Sequence, residues 1–164
     1  MKMRDFVALA FALASVFFAP CPAFAQERQW SLDATDKEVF LVFGVPDTDD
    51  VGVSFWCSLN TGKASLYLPL NAPILKSGQR ADMKVTLDGK TFHLAGAAAK
   101  EGNEGRMTVE GSFRLKDKLM KALGNADSIS VTVKNRTDTY PLTDADFEGF
   151  VNACNGAATG DSGN

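Results

Sequence analysis

An antiparallel β-sandwich of jelly-roll-like form, carrying two short helices, is the fold class this sequence predicts. Three observations point to it. Apolar and polar residues alternate over short segments between residues 30 and 142, Gly-, Asn- and Asp-rich turns separate those segments, and only two stretches switch to a helical period. Repeated short strands of this kind build sandwiches or barrels.

The elements follow in order. Trp30 and Leu32 alternate with Gln29, Ser31 and Asp33, which predicts a half-buried first strand. Residues 37–45 are apolar on both faces in their middle, as in a central strand covered on both sides. Pro46-Asp47-Thr48-Asp49-Asp50 makes a turn. In the next strand Val51, Val53, Phe55, Cys57 and Leu59 share the inward face, with Gly52, Ser54, Trp56 and Ser58 on the other. Asn60-Thr61-Gly62 leads into a strand over 64–70, and 71–78 reads as a longer loop. Met83, Val85 and Leu87 then alternate with Lys84, Thr86 and Asp88, and Asp88-Gly89 signals a hairpin returning along 91–97. After a turn over 100–105, Met107, Val109 and Gly111 lie on one face, with Thr108 and Glu110 opposite.

Leu115, Leu119 and Leu123, four residues apart, predict a helix over 116–123 that Gly124-Asn125 terminates. A strand over 128–134 with Ile129, Val131 and Val133 inward is followed by a turn and a short strand over 139–142. The second helix is expected to start at Thr143, with Asp144 and Asp146 in its first turn at the positive end of the dipole. Phe147, Phe150 or Val151, and Cys154 then share its buried stripe, which turns Cys154 toward the sheet that holds Cys57.

Residues 1–25 read as a signal peptide. Lys2 and Arg4 form a positive start, residues 6–18 are apolar apart from Ser15, and Ala23-Phe24-Ala25 supplies small residues for cleavage after Ala25. The apolar run is shorter than the roughly 20 residues a membrane span needs. The alternatives are a buried N-terminal helix and lipid anchoring at Cys21, where Pro20 fits the lipoprotein pattern poorly. The expected organisation is therefore a signal peptide over 1–25, a β-sandwich domain over 26–156 and a flexible tail over 157–164. Without residues 1–25 the chain keeps 139 residues, 15 basic and 19 acidic side chains, and a net charge of −4. It also keeps two Cys, and an even count in an exported chain reads as a Cys57–Cys154 disulfide, with two separate buried thiols as the alternative.

Composition excludes some functions. The acidic balance lacks the basic excess of a nucleic-acid binder. A single His and two remaining Cys leave too few ligands for a transition-metal centre, and no cofactor motif occurs. Gly160-Asp161-Ser162-Gly163 matches the nucleophile segment of trypsin-like proteases. It lies too near the chain end to build an oxyanion hole and pocket around Ser162, so it reads as coincidence. His93 is expected to be a surface or partly packed histidine. Asp47, Asp49 and Asp50 read as a solvated hairpin turn, with weak Ca²⁺ binding as the alternative; Ser58 stands where an EF-hand needs its closing Glu. Trp56, opposite Cys57, is either covered by a second layer or exposed as a contact for a partner or ligand. Asn135-Arg136-Thr137 matches a glycosylation sequon.

In the last third, Phe113, the Leu119/Leu123 helix, the Ile129–Val131 strand, Tyr140-Pro141-Leu142 and the Phe147 to Cys154 helix form a recognisable layout. It resembles small exported bacterial β-sandwich proteins of the invasion-associated locus B type, in which a late helix carries a Cys paired with one on an early strand. The resemblance covers about 40 residues together with the Trp30 and Cys57 placements. It implies a periplasmic protein without enzymatic activity. The function expected is binding or envelope assembly, through a protein or small ligand, with neither nucleic acid nor a transmembrane span in the mature form. The alternative is a small hydrolase using a carboxylate pair.

Overall fold

The computed structural model describes residues 27–70, 74–101 and 106–156. The expected signal peptide with Cys21, and the tail with Ser162, lie outside them. Within them the chain forms β1 (Gln29–Ala34), β2 (Glu38–Gly44), β3 (Val51–Ser58), β4 (Lys63–Leu70), β5 (Arg80–Leu87), β6 (Lys90–Glu101), β7 (Arg106–Arg114), α1 (Lys118–Leu123), β8 (Ser128–Val133), β9 (Arg136–Pro141) and α2 (Phe147–Cys154).

The strands join antiparallel in one sheet, ordered β1-β2-β3-β4-β7-β6-β5-β8-β9, which curls into a half-barrel. The predicted mainly β, antiparallel class with two short helices is thus present, but as one ladder rather than two stacked sheets. The reason is the β4–β7 pairing, which runs unbroken from Lys63 opposite Arg114 to Leu70 opposite Met107 and joins what would otherwise be two halves. Twist accumulating over nine strands then curls the sheet.

The period-2 patterns decide the faces. Val39, Leu41, Val53, Phe55, Leu66, Leu68, Met83, Val85, Val109, Ile129 and Val131 are buried on the concave side. The convex side of β2 is only half-buried at Phe40 and Val42, so this strand is not covered on both sides as expected. At the β5–β6 hairpin, Asp88 (φ 45°) and Gly89 (φ 76°) take the left-handed conformations that an Asp-Gly turn supplies.

Some boundaries moved. β6 continues to Glu101 because it stays paired with β7 as far as Arg106. β9 begins at Arg136, and its hydroxyls zip onto β8 through Ser130–Thr139 and Thr132–Thr137 hydrogen bonds of 2.8 Å. α2 starts at Phe147, not Thr143. Asp146 is its cap rather than part of its first turn, and accepts a 2.7 Å hydrogen bond from the Gly149 N–H.

One end of the barrel is dry. Phe150 of α2 is fully buried, and Phe147 packs edge-on to Phe55 with ring centroids 5.2 Å apart. Phe55 also meets Trp30 and Phe113. Cys57 and Cys154 form a disulfide with a Cα–Cα distance of 6.0 Å, and the Cys154 carbonyl accepts from the Asn60 N–H at 2.9 Å. The bridge spans 97 residues of sequence. A loop of that length corresponds to about 4.7 kcal/mol in the chain-entropy account. The two edge strands also meet, since the Trp30 indole N–H of β1 donates a 2.8 Å hydrogen bond to the Pro141 carbonyl of β9.

Candidate functional site

β3 runs from the disulfide end at Cys57 back to Val51, and at Val51 the half-barrel opens into a cleft of about 510 Å³. Its chemistry begins with β9. Register sets Arg136, Asp138 and Tyr140 opposite Val133, Val131 and Ile129, so all three share the concave face with buried aliphatics. A strand that alternates Thr outward with Arg, Asp and Tyr inward places charge where the other strands place Val and Leu.

Arg136 and Asp138 consequently neutralise each other as a fork. Nη2 donates to Oδ1 at 3.0 Å, and Nε lies 2.8 Å from Oδ2, an ion-pair contact without hydrogen-bond alignment at an oxygen shut off from solvent. Both side chains are about one-quarter exposed, at 25% and 24%. Tyr140 is buried behind them, its ring 6.0 Å from that of Phe43. Gly52 makes room for it, since a Cβ there would sit 3.1 Å from Tyr140 Cε1. Burial, then the Asp138 charge, push the Tyr140 phenol up to about 12, which keeps it a neutral hydrogen-bonding group.

The opposite wall is the turn between β2 and β3. The Val45 N–H donates to the Asp50 carbonyl at 3.0 Å, and Thr48 Oγ1 donates to the Val45 carbonyl at 2.8 Å. Gly44 is required beneath it, because a Cβ would come within 2.6 Å of the Asp50 carbonyl oxygen. The turn holds two carboxylates over the cleft. Asp50 pairs with Arg28 at 2.5 Å, and Asp49 Oδ2 with Arg106 Nη2 at 2.8 Å, while Arg106 Nη1 donates to the Asp49 carbonyl at 3.0 Å. The hydrogen bond from Arg28 holds the Asp50 carboxyl below the usual carboxylate range and raises the Arg28 guanidinium in turn. Three guanidiniums and three carboxylates thus face one cavity, from segments as distant in sequence as Arg28 and Arg136.

The residues singled out from sequence are distributed differently. Cys57 and Cys154 are joined as expected. Trp56 lies on the convex face, half-buried between cross-strand neighbours Phe40 and Ser65, and does not line the cleft. His93 is exposed opposite Lys84. Asn135 is exposed in the β8–β9 turn. Of the acidic turn, Asp49 and Asp50 hold arginines, and Asp47 stands at a positive φ of 59°. No group of three or more His, Cys, Asp or Glu side chains placed to hold a metal ion occurs among the described residues. No helix among them is long and apolar enough to cross a membrane.

Sequence reading missed the arginine and Tyr140 components. The Arg-Thr-Asp-Thr-Tyr alternation at 136–140 was the legible signal, because charges at i and i+2 followed by Tyr at i+4 mark one face of a strand as a polar wall. Arg28 and Arg106 carried no local signal, since only the curl of the sheet brings them to that wall. No family model, curated protein or solved structure matches the chain.

Proposed function

We propose that the chain is an exported, periplasmic binding or envelope-assembly protein without enzymatic activity, and that it binds at the cleft. The observation that carries the choice over a carboxylate hydrolase is the pairing of Asp49, Asp50 and Asp138, each with its own arginine. A general acid needs a carboxyl whose pKa is raised toward neutrality. Arg28 moves Asp50 the other way. Guanidiniums beside a neutral phenol serve recognition of polar groups instead. In this reading the single curled sheet is a sandwich-like variant whose flanks face each other across the apolar core. The disulfide supports export, because such bonds persist in oxidising compartments.

Production from the full sequence in a bacterial host, followed by fractionation and intact mass, tests the export half. The product should enter the periplasmic fraction, begin at Gln26 and weigh two hydrogens less than its reduced form. A cytosolic chain retaining residues 1–25 and three free thiols would overturn it.

A further inference from the structure

The β2–β3 turn places two consecutive carboxylates, Asp49 and Asp50, on two guanidiniums from distant segments, Arg106 at the start of β7 and Arg28 just before β1. These carboxylates belong to neighbouring residues, so the turn presents two anionic groups on one short segment. Resting on the binding reading above, we propose that this turn is a built-in stand-in for a ligand, and that the cleft takes a compact dianion of dicarboxylate or phosphoryl chemistry on Arg28 and Arg106.

Three features support that ligand class. Arginine presents a rigid fork of donors matched to carboxylate and phosphoryl oxygens. The stand-in is weakly held: the Arg28–Asp50 side chains are 42% and 47% exposed, and those of Arg106–Asp49 38% and 86%. Exposed pairs of this kind stabilise by little, so displacing them costs a ligand little. The third wall is already neutral, because the Arg136 and Asp138 charges balance and Tyr140 keeps its proton. Once the Asp49 and Asp50 carboxylates swing away, a dianion replaces the two negative charges they place on Arg106 and Arg28. The turn backbone is tied by the Val45 N–H to Asp50 carbonyl bond, so the ligand displaces the two carboxylate side chains by rotation while β2 and β3 stay paired.

Calorimetric titration of the disulfide-bonded protein with succinate and with inorganic phosphate, at constant ionic strength, tests this. Acetate serves as the monoanion control. The Asp49→Asn/Asp50→Asn variant removes the internal competitor and should bind the preferred dianion more tightly, by about fivefold or more. The two titrants separate dicarboxylate from phosphoryl preference. Arg28→Gln and Arg106→Gln should each abolish the heat while leaving the circular dichroism spectrum unchanged. A purely structural role for the ion pairs would lower stability in all these variants and raise affinity in none. The proposal is overturned if the Asp49→Asn/Asp50→Asn protein binds neither dianion, if it binds no tighter than the native chain, or if binding survives the arginine substitutions. None of these outcomes bears on export, which the fractionation decides separately.

Discussion

The two ends of β3 solve opposite problems. At Cys57 the chain excludes water: Phe55, Phe113, Phe147 and Phe150 interlock, and the disulfide ties α2 across them. At Val51 the same strand opens onto a cleft lined by six charged side chains in three ion pairs. Burial and covalent closure make the first end the seat of stability. The second contributes little, because exposed ion pairs gain modest Coulomb energy and lose side-chain freedom. A molecule arranged in this way can rearrange its cleft without endangering its fold.

Removing the bridge should separate the ends most sharply. Cys57→Ala/Cys154→Ala should lower unfolding free energy in urea by about 4–5 kcal/mol, less any relief of native strain. Arg28→Gln at the cleft should cost no more than about 1 kcal/mol. Comparable losses for the two would erase the distinction.

A smaller effect belongs to pH. The Tyr140 phenol titrates near 10 in the unfolded chain and near 12 in the fold, so the folded state holds the extra proton. Its contribution to stability is complete below pH 10 and is lost as pH rises toward 12. Tyr140→Phe should flatten that alkaline decline, as read from urea midpoints across the window. An unchanged slope would show that the phenol is not enclosed between Phe43 and Asp138. On the acid side, Asp50 and Asp117 are both held below the ordinary value of 3.8, Asp50 by Arg28 and Asp117 by the backbone N–H and then the side chain of Arg114. Their contributions are present above that value and disappear as pH falls through the folded pKa.

The contrast between the ends also explains what the sequence disclosed. Apolar alternation is local, so Phe55 and Cys57 on one face of β3, and Phe147 and Cys154 on one stripe of α2, could be read directly. The Asp88-Gly89 hairpin was legible for the same reason. Sheet order was not, because the β4–β7 pairing that turns a sandwich into a single curled sheet depends on contacts between distant segments. The cleft is a product of that curl. Asp49 and Asp50 were noticed as an acidic turn, but their arginine partners stand 22 and 57 residues away, outside any motif window. Alternation places Trp56 on the face opposite Cys57, and the structure gives it Phe40 and Ser65 as flanking neighbours on that convex face.

The central claim, that binding resides in the cleft rather than on the convex Trp56 face, is tested most directly by amide chemical-shift mapping of the native protein during succinate and phosphate titration. The account predicts perturbations confined to Asp49, Asp50, Gly52, Arg106, Thr139 and Tyr140, with Phe40, Trp56 and Ser65 unmoved. Shifts centred on Trp56, or no saturable shift at the cleft with either dianion, would contradict it.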